Sequence, residues 1–283
     1  SNDWNFIKIF MMTRTISMGG MAVGGKHPLA LIAGPCVIES RKGCLELAKR
    51  LVALAREEGI PLVFKASYDK ANRSSIGAFR GPGLEAGLEV LAEIGSSLKV
   101  PVLTDVHVAE DVAKVAAVVD VLQIPAFLCR QTDLLVAAGE SGKVVNVKKG
   151  QFLAPWDMKN VVAKIESTGN HKIVLTERGS SFGYNNLVAD MRSLLAMAEL
   201  GYPVVFDATH SVQRPGGGGN YTAGDGQWAP HLARAAVATG CDGVFIETHL
   251  NPARALSDKE NAVPFKKMKA LWRQLKGIDE LVG

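Results

Sequence analysis

The chain has 283 residues, of which 47% are hydrophobic and 21% charged, and its net charge at pH 7 is +4. This apolar fraction can bury a large core, so the composition excludes a wholly disordered or collagen-like protein. The positive excess is small and dispersed, which suits small anionic substrates and argues against nucleic acid as a partner.

The four cysteines are Cys36, Cys44, Cys129 and Cys241, and they form no CxxC pair. A chain of this length does not need disulfides, so we expect free thiols and a reducing, cytoplasmic compartment. No apolar run approaches the roughly 18 residues of a membrane span. The apolar stretch 6–12 also lacks the order of charge, apolar block and cleavage site that a signal peptide has. We therefore expect no membrane partner.

From residue 29 onward, short apolar runs alternate with stretches of helical periodicity. The apolar runs, which we predict to be strands, are 29–33, 61–66, 101–104, 119–124, 144–147, 173–176, 203–206 and 243–246. The helical stretches are 41–58, 84–98, 109–118, 132–140, 157–167, 186–200, 228–239 and 264–281. In the first of these, Leu45, Ala48 and Leu51 recur at helical spacing and Gly59 ends the pattern.

Strands separated by helices form βαβ units, and continuous apolar strands are typical of a parallel sheet that is covered on both faces. Eight such units in this length predict an α/β protein with a single (β/α)8 TIM barrel over residues 29–283. Residues 1–28 form an N-terminal extension. An open, doubly wound sheet is the alternative, although no GxGxxG follows the first strand.

The chemistry of such a barrel lies at the carboxyl ends of its strands. Polar or ionisable side chains follow all eight apolar runs, and in chain order they include Cys36, Lys65, Asp105, Gln123, Asn146, Lys148, Arg178, Asp207, His210 and Glu247. We take this set as the candidate site, because bulk water is least accessible at strand ends.

Several basic side chains meet at this mouth in the predicted barrel, namely Lys65, Lys70, Arg73, Lys148, Arg178 and, at greater sequence distance, Arg130. Like charges repel, so the group needs a compensating anion. Phosphate fits, because Arg binds it with two parallel N–H groups and Lys acts as a point charge. The segment 70–75 adds hydroxyl groups and backbone donors, which is typical of a phosphate-binding loop. For any single one of these residues, a solvated loop charge is the alternative.

A second group of residues has the chemistry of metal ligands. Cys36, His210 and Glu247 follow the first, seventh and eighth runs, which are neighbours in a closed barrel, and Asp258 comes 11 residues after Glu247. One thiolate, one imidazole and two carboxylates can bind zinc, iron(II) or manganese. The alternatives are a buried apolar thiol, a hydrogen-bonded neutral histidine and a helix cap.

The four glycines 216–219 lie close to His210. Such a run predicts either a mobile lid over the mouth or a plain flexible connection. His107, Asp207 and His249 also follow strands, and they are further candidates for acid–base chemistry.

Several of these segments resemble one enzyme family. The stretch IAGPCVIES at 32–40 is similar to the opening motif of enzymes that condense phosphoenolpyruvate with an aldose phosphate. The stretch FKASYDKANRSS at 64–75 resembles the signature of the 3-deoxy-D-manno-octulosonate 8-phosphate synthases. The sister 3-deoxy-D-arabino-heptulosonate 7-phosphate synthases carry an Arg-Thr-Ser-Pro-like stretch there. Further matches lie at 123–133, 146–152, 176–179 and 207–213, so the resemblance covers residues 29 to about 270.

The resemblance implies that phosphoenolpyruvate, D-arabinose 5-phosphate and water give 3-deoxy-D-manno-octulosonate 8-phosphate and phosphate, a step toward lipopolysaccharide. It also implies a homotetramer with the region of Arg130 at an interface. Two alternatives remain. One is the heptulosonate synthase, whose acceptor is erythrose 4-phosphate, and the other is a non-catalytic, anion-binding barrel that serves as a regulatory subunit.

The resemblance further implies individual residue roles. The catalytic set is Lys65, Lys70, Asp105, Lys148, Arg178 and His210. The substrate-binding set is Asn72, Arg73, Ser74, Gln123 and Arg130, and the metal ligands are Cys36, His210, Glu247 and Asp258. Family members that depend on a metal carry Cys after Gly-Pro where metal-independent members carry Asn. Cys36 therefore implies the metal-dependent class.

Overall fold

The computed structural model describes residues 12–219 and 222–282, and it begins with a short hairpin. Strand β1 (Ile16–Met18) pairs antiparallel with β2 (Met21–Val23). Ile16, Met18 and Val23 pack against apolar side chains inside the barrel, so the hairpin covers the amino-terminal end of the barrel strands. The sequence predicted an extension over 1–28 without indicating this hairpin. Residues 1–11 of that extension lie outside the described part of the chain.

A closed barrel of parallel strands follows. In chain order, the remaining strands are β3 (Ala30–Gly34), β4 (Leu62–Lys65), β5 (Val102–Asp105), β6 (Val121–Ile124), β7 (Val144–Lys148), β8 (Ile173–Glu177), β9 (Ser180–Ser181), β10 (Leu187–Val188), β11 (Val204–Asp207), β12 (Gln213–Arg214), β13 (Ala223–Gly224), β14 (Gly243–His249) and β15 (Val263–Pro264). The barrel consists of β3 to β8, β11 and β14, and β14 pairs in parallel with both β11 and β3. This pairing confirms the predicted TIM barrel and excludes the open sheet.

Helices surround the barrel. They are α1 (Arg41–Glu58), α2 (Leu84–Leu98), α3 (Val112–Ala116), α4 (Thr132–Glu140), α5 (Met158–Glu166), α6 (Arg192–Ala198), α7 (Ala229–Thr239) and α8 (Phe265–Val282). Two helix predictions were too long. The stretch 109–118 begins as a 3-10 turn, and the stretch 186–200 begins with β10, which pairs with β9, before α6 starts at Arg192.

Helix α1 shows how local chemistry sets the bounds of an element. The Ser40 hydroxyl accepts a hydrogen bond from the backbone N–H of Gly43, which caps the helix N-terminus. Gly59 ends the helix in the left-handed region at φ 64°, and its N–H donates to the Ala55 carbonyl. The predicted bounds 41–58 are therefore the observed ones. Ser40 also lies at the end of the loop that carries Cys36, so the cap anchors one side of the mouth.

The four cysteines are buried, and none of them forms a disulfide, as predicted. Among residues 12–219 and 222–282, no helix is both long and apolar enough to cross a membrane.

Gly34 allows the ends of β3 and β4 to approach each other. A Cβ atom at this position would lie 1.8 Å from the Lys65 carbonyl oxygen, a distance at which real atoms overlap. The close approach places the backbone that leads to Cys36 directly beside Lys65.

We expect Gly34→Ala to lower the free energy of unfolding by about 2–3 kcal/mol, because the added methyl group must push two packed strands apart. Gly277→Ala is the matched control. Gly277 lies within α8 with nothing within 4 Å of a Cβ, so this change is expected to be neutral or stabilising. Urea unfolding followed by circular dichroism measures both, and equal stability of the two variants would contradict the packing argument.

Candidate active site

The carboxyl ends of the barrel strands surround a cavity of about 810 Å³. Its walls come from the loops after the strands, and the candidate residues that line it are Lys70, Asn72, Arg73, Ser74, Asp105, Gln123, Lys148, Arg178, His210 and Asp258. Lys65, Cys36 and Glu247 are buried next to this set. The structure thus brings nearly all of the sequence-predicted site residues to one mouth.

Arg130 is the exception. Its side chain is exposed and does not line the cavity, while its backbone carbonyl accepts a hydrogen bond from Lys164 Nζ. Within one copy of the chain, Arg130 is therefore not placed to contact a molecule in the cavity.

Lys65 is almost completely buried and is held by two acceptors. Its Nζ donates to the Cys36 carbonyl oxygen over 2.9 Å and to Glu247 Oε1 over 3.1 Å. Lys70 Nζ lies 4.0 Å from the same Glu247 oxygen. Burial by itself raises the pKa of Glu247, but His210, the two lysines and Lys148 outweigh burial and lower this pKa to about 2. Glu247 is therefore a carboxylate at neutral pH.

A second buried ion pair joins β7 to β11. Lys148 Nζ donates to Asp207 Oδ2 over 2.6 Å and lies 3.8 Å from the centre of the Phe245 ring. Burial opposes ionisation of Asp207, but the charges of His210 and Lys148 hold the pKa of this carboxyl well below its usual range. The sequence predicted a group of basic side chains that needs a compensating anion. The structure instead pairs Lys65 and Lys148 with carboxylates of the same barrel.

Asp207 also orients His210. Asp207 Oδ2 lies 2.7 Å from His210 Nδ1, and Asp207 Oδ1 accepts the backbone N–H of His210. When the imidazole is neutral, as a metal ligand must be, a carboxylate at Nδ1 keeps the ring proton on that nitrogen, and Nε2 then has a free lone pair. His210 Nε2 lies 3.4 Å from Glu247 Oε1 and 3.8 Å from Asp258 Oδ2.

Glu247 and Asp258 also lie close to the Cys36 thiol. One ligand atom from each of Cys36, Glu247 and Asp258 lies within 4.8 Å of the other two, and Cys36 Sγ is 3.1 Å from Asp258 Oδ2. Glu247 Oε2 is buried without a hydrogen-bond partner among the described residues. Burial, Asp258 and Glu247 raise the pKa of the Cys36 thiol. A buried carboxylate oxygen without a donor, beside a thiol and an imidazole lone pair, fits a divalent cation.

Two guanidinium groups at the mouth have N–H groups that lack a hydrogen-bond partner among the described residues. Arg178 is buried, and its Nη2 donates to Gln213 Oε1 over 2.6 Å, whereas its Nη1 has no partner in the described part of the chain. Arg73 donates from Nε to the Phe79 carbonyl oxygen, and its Nη2 is buried without a partner among the same residues. Buried polar groups are normally hydrogen-bonded, so both are candidates to bind an anion.

Uncharged side chains complete the wall between these groups. Thr176 donates to Asn146 Oδ1 over 2.6 Å, and Asn146 Nδ2 donates to Gln123 Oε1 over 3.1 Å. This chain of hydrogen bonds fixes the Gln123 amide at the cavity wall.

The site residues predicted from the sequence did not include Gln151, Gln213 and Ser257, which also line the cavity. Gln151 and Gln213 lie within the matched motifs 146–152 and 207–213, and their place in these motifs could have indicated that they belong to the site.

Asp105 forms its own buried cluster. Its Oδ1 accepts from the Ser67 hydroxyl over 2.5 Å, and its Oδ2 lies 3.1 Å from His107 Nε2. Burial favours the neutral acid, but Lys70, a hydrogen bond from His107 and Lys65 together hold the pKa of Asp105 well below its usual range. The carboxylate is therefore ionised at neutral pH and cannot serve as a proton donor there.

Replacing Asp105 by Asn tests this charge. A depressed folded-state pKa means that the ionised group stabilises the fold above about pH 4 and that this contribution is lost as the pH falls further. We expect Asp105→Asn to be less stable than the unchanged protein at neutral pH and the difference in unfolding free energy to shrink in acid. Asp133→Asn, on the exposed start of α4, is the control. A pH-independent difference would contradict the charge assignment.

The sequence of residues 10–282 matches the family model described as the DAHP synthetase I family. That match covers nearly the whole chain, including both the barrel strands and the loops at their carboxyl ends. The chain belongs to this family.

Individual relatives agree with the family match. A protein of Geobacter sp. (strain M21) is 60% identical over 272 residues, which cover 96% of this chain and 100% of the relative. Proteins of Geobacter metallireducens and Geobacter sulfurreducens are 59% and 56% identical over 271 residues, with the same shares covered. All three relatives carry the name 2-dehydro-3-deoxyphosphooctonate aldolase.

Proposed function

We propose that this chain condenses phosphoenolpyruvate with D-arabinose 5-phosphate and water to give 3-deoxy-D-manno-octulosonate 8-phosphate and phosphate, for lipopolysaccharide synthesis. The observation that carries the proposal is the pair of guanidinium groups of Arg178 and Arg73. Both residues line one cavity, and each has a buried N–H group without a partner among the described residues. Two phosphorylated substrates need two anion sites within reach of one reaction centre. The name shared by the relatives supports the same reaction, and it does not favour the heptulosonate alternative.

Phosphoenolpyruvate would bind at the buried end of the cavity. Arg178 offers an N–H group that has no partner in residues 12–219 and 222–282, and Lys148, which is paired with Asp207, lines the same cavity. Lys65 and Lys70 add positive charge beside Glu247. Cations that the fold holds in place before the substrate arrives stabilise developing charge without reorganisation, which is usually the largest contribution to catalysis.

The pentose phosphate would bind at the outer end of the cavity. Asn72, Arg73 and Ser74 lie on the loop between β4 and α2, where Asn72 and Ser74 are exposed at the rim. Arg130 is proposed to reach this end from a second copy of the chain, within a homotetramer. Its exposure on the single chain is compatible with that role.

The reaction moves two electron pairs of phosphoenolpyruvate in turn. The C2=C3 pair forms the new bond from C3 to the aldehyde carbon, whose oxygen takes a proton and becomes a hydroxyl. Water adds to the electron-poor C2 and loses a proton. The bond from C2 to the bridging oxygen then breaks, its electron pair leaves with phosphate, and C2 becomes a ketone as the added hydroxyl loses its proton. His210 and the pair of Asp105 with His107 are the titratable groups of the cavity proposed to serve these proton transfers. Asp105 is a carboxylate at neutral pH, so in this role it can only accept a proton or orient His107.

Cys36, His210, Glu247 and Asp258 would hold a divalent metal ion, namely zinc, iron(II) or manganese. When bound, such an ion supplies Lewis acidity, which can position or acidify the attacking water or orient the aldehyde. The chain contributes the orientation of the ligands. Asp207 fixes the His210 tautomer, and Gln213 Nε2 donates to Asp258 Oδ1 over 3.3 Å.

We expect Cys36→Ala to lower metal-dependent turnover at least about 100-fold, because a lost Lewis acid costs several kcal/mol of transition-state stabilisation. Elemental analysis should show the metal in the unchanged protein and a loss of it in the variant. Cys44→Ala, which removes a buried thiol of α1, is the control and should keep the metal. Chelator treatment of the unchanged protein should abolish turnover, and full activity after complete chelation would refute the metal assignment.

Acceptor choice tests the reaction itself. With phosphoenolpyruvate present, phosphate release should be at least about tenfold faster with D-arabinose 5-phosphate than with erythrose 4-phosphate, because the shorter sugar leaves polar groups of the site unpaired. A preference for erythrose 4-phosphate would assign the heptulosonate reaction instead. If protein that contains its metal releases no phosphate with either sugar, the non-catalytic regulatory barrel is favoured.

A further inference from the structure

The loops that follow the paired strands β3 and β14 supply two of the four proposed metal ligands. Cys36 lies in the loop between β3 and α1, and Asp258 lies in the loop between β14 and β15. Ser257 in the second loop reaches the first loop, with its Oγ 2.8 Å from Cys36 Sγ. Asp258 has φ 45°, in the left-handed region that non-glycine residues seldom adopt. Such a conformation persists only where the surroundings hold it.

Glu39, next to α1, makes a bridge between the same two loops. Its Oε1 accepts the backbone N–H of Leu256 over 2.7 Å, only two residues before Asp258. Its Oε2 lies 3.6 Å from Nε2 of His249, at the end of β14. The cavity lining includes Leu256 and Asp258 but not Glu39, so the carboxylate contacts the loop from outside the reaction space.

The His249 ring is oriented for this contact by the loop itself. His249 Nδ1 accepts the backbone N–H of Asn251 over 3.0 Å, so a neutral ring carries its proton on Nε2. That nitrogen faces Glu39. One carboxylate therefore contacts the ligand loop at two places, near its start through His249 and immediately before Asp258 through Leu256.

We propose that Glu39 is a positioning residue that holds the Asp258 loop against Cys36 and thereby sets how long the metal stays bound. The role in metal retention rests on the metal site of the proposed function. The loop has a second brace on its far side, where Glu260 Oε2 accepts the backbone N–H of Gly224 over 3.0 Å. Glu39 is the brace next to Asp258 on the Cys36 side. Its loss should therefore let the distance between Cys36 and Asp258 vary without unfolding the barrel.

The first readout is zinc release. Protein loaded with Zn²⁺ is mixed with excess chromogenic chelator, and the release rate is followed. Glu39→Ala is expected to raise this rate about 10- to 100-fold, the range found when groups that orient metal ligands are removed. Glu46→Ala is the matched control, because Glu46 lies on α1, is exposed and pairs only with Arg50 among the described residues. Its release rate should equal that of the unchanged protein.

Two milder variants separate positioning from general damage. Glu39→Gln keeps a carbonyl oxygen that can accept the Leu256 N–H, so its release rate should fall between those of the unchanged protein and Glu39→Ala. His249→Ala leaves the Glu39–Leu256 bond in place and should also give a smaller increase. Melting temperatures are measured for all variants. Release rates that follow the melting temperature across the set, rather than the Leu256 contact, would overturn the proposal.

The second readout needs no metal. Cys36 is buried beneath Ser257, so freeing the loop should expose its thiol. In metal-free protein, Glu39→Ala is expected to speed alkylation of Cys36 at least tenfold, while Cys44, Cys129 and Cys241 stay slow, as located by mass spectrometry. Unchanged labelling of Cys36 would refute the positioning role. If the unchanged protein binds no zinc, the proposed metal centre fails, and this labelling still decides whether Glu39 holds the loop.

Discussion

The hydrogen bonds that join β14 to both β3 and β11 are the constraint on which the site depends. Glu247 pairs in register with Gly34 on one side, and Phe245 pairs with Asp207 on the other. In an open sheet, the first and last strands would lie at opposite edges. Closure brings Cys36 within reach of Asp258, which lies more than 200 positions later in the chain.

Closure also settles the charges at the mouth. Buried ions are costly unless they are paired, and the barrel pairs Lys65 with Glu247 and Lys148 with Asp207. These pairs join strands that are distant in sequence, so they hold the floor of the cavity in a fixed geometry. Arg178 differs, because its Nη1 has no hydrogen-bond partner in the part of the chain that the structure describes. The site therefore combines lysines that are paired with carboxylates and an arginine N–H group that is not paired within the described residues.

The two ends of the barrel have different tasks. At the amino-terminal end, the β1–β2 hairpin adds apolar side chains to the inner core, and the chemistry there is that of packing. At the carboxyl end, the loops replace apolar side chains with ionised ones. The loop that carries Asp258 depends on contacts with its neighbours. Glu39 accepts a hydrogen bond from the backbone of this loop, and Glu260 of the loop accepts one from the backbone of β13. Stability and chemistry are thus separated along the barrel axis.

The amino-acid pattern predicted the strands and helices, because strands buried on both faces must be continuously apolar and helices on the outside must be amphipathic. Eight such units favoured the barrel, and the pairing of β14 with both β3 and β11 then excluded the open sheet. The sequence also determined which residue types stand at the strand ends, and so the chemistry available there. Which of these groups pair depends on the closed fold. The bonds of Lys148 to Asp207 and of Leu256 to Glu39 join residues 59 and 217 positions apart, and no local pattern encodes such a pair. Helix α6 was overpredicted for the same reason, since its first predicted residues pair as a strand with β9.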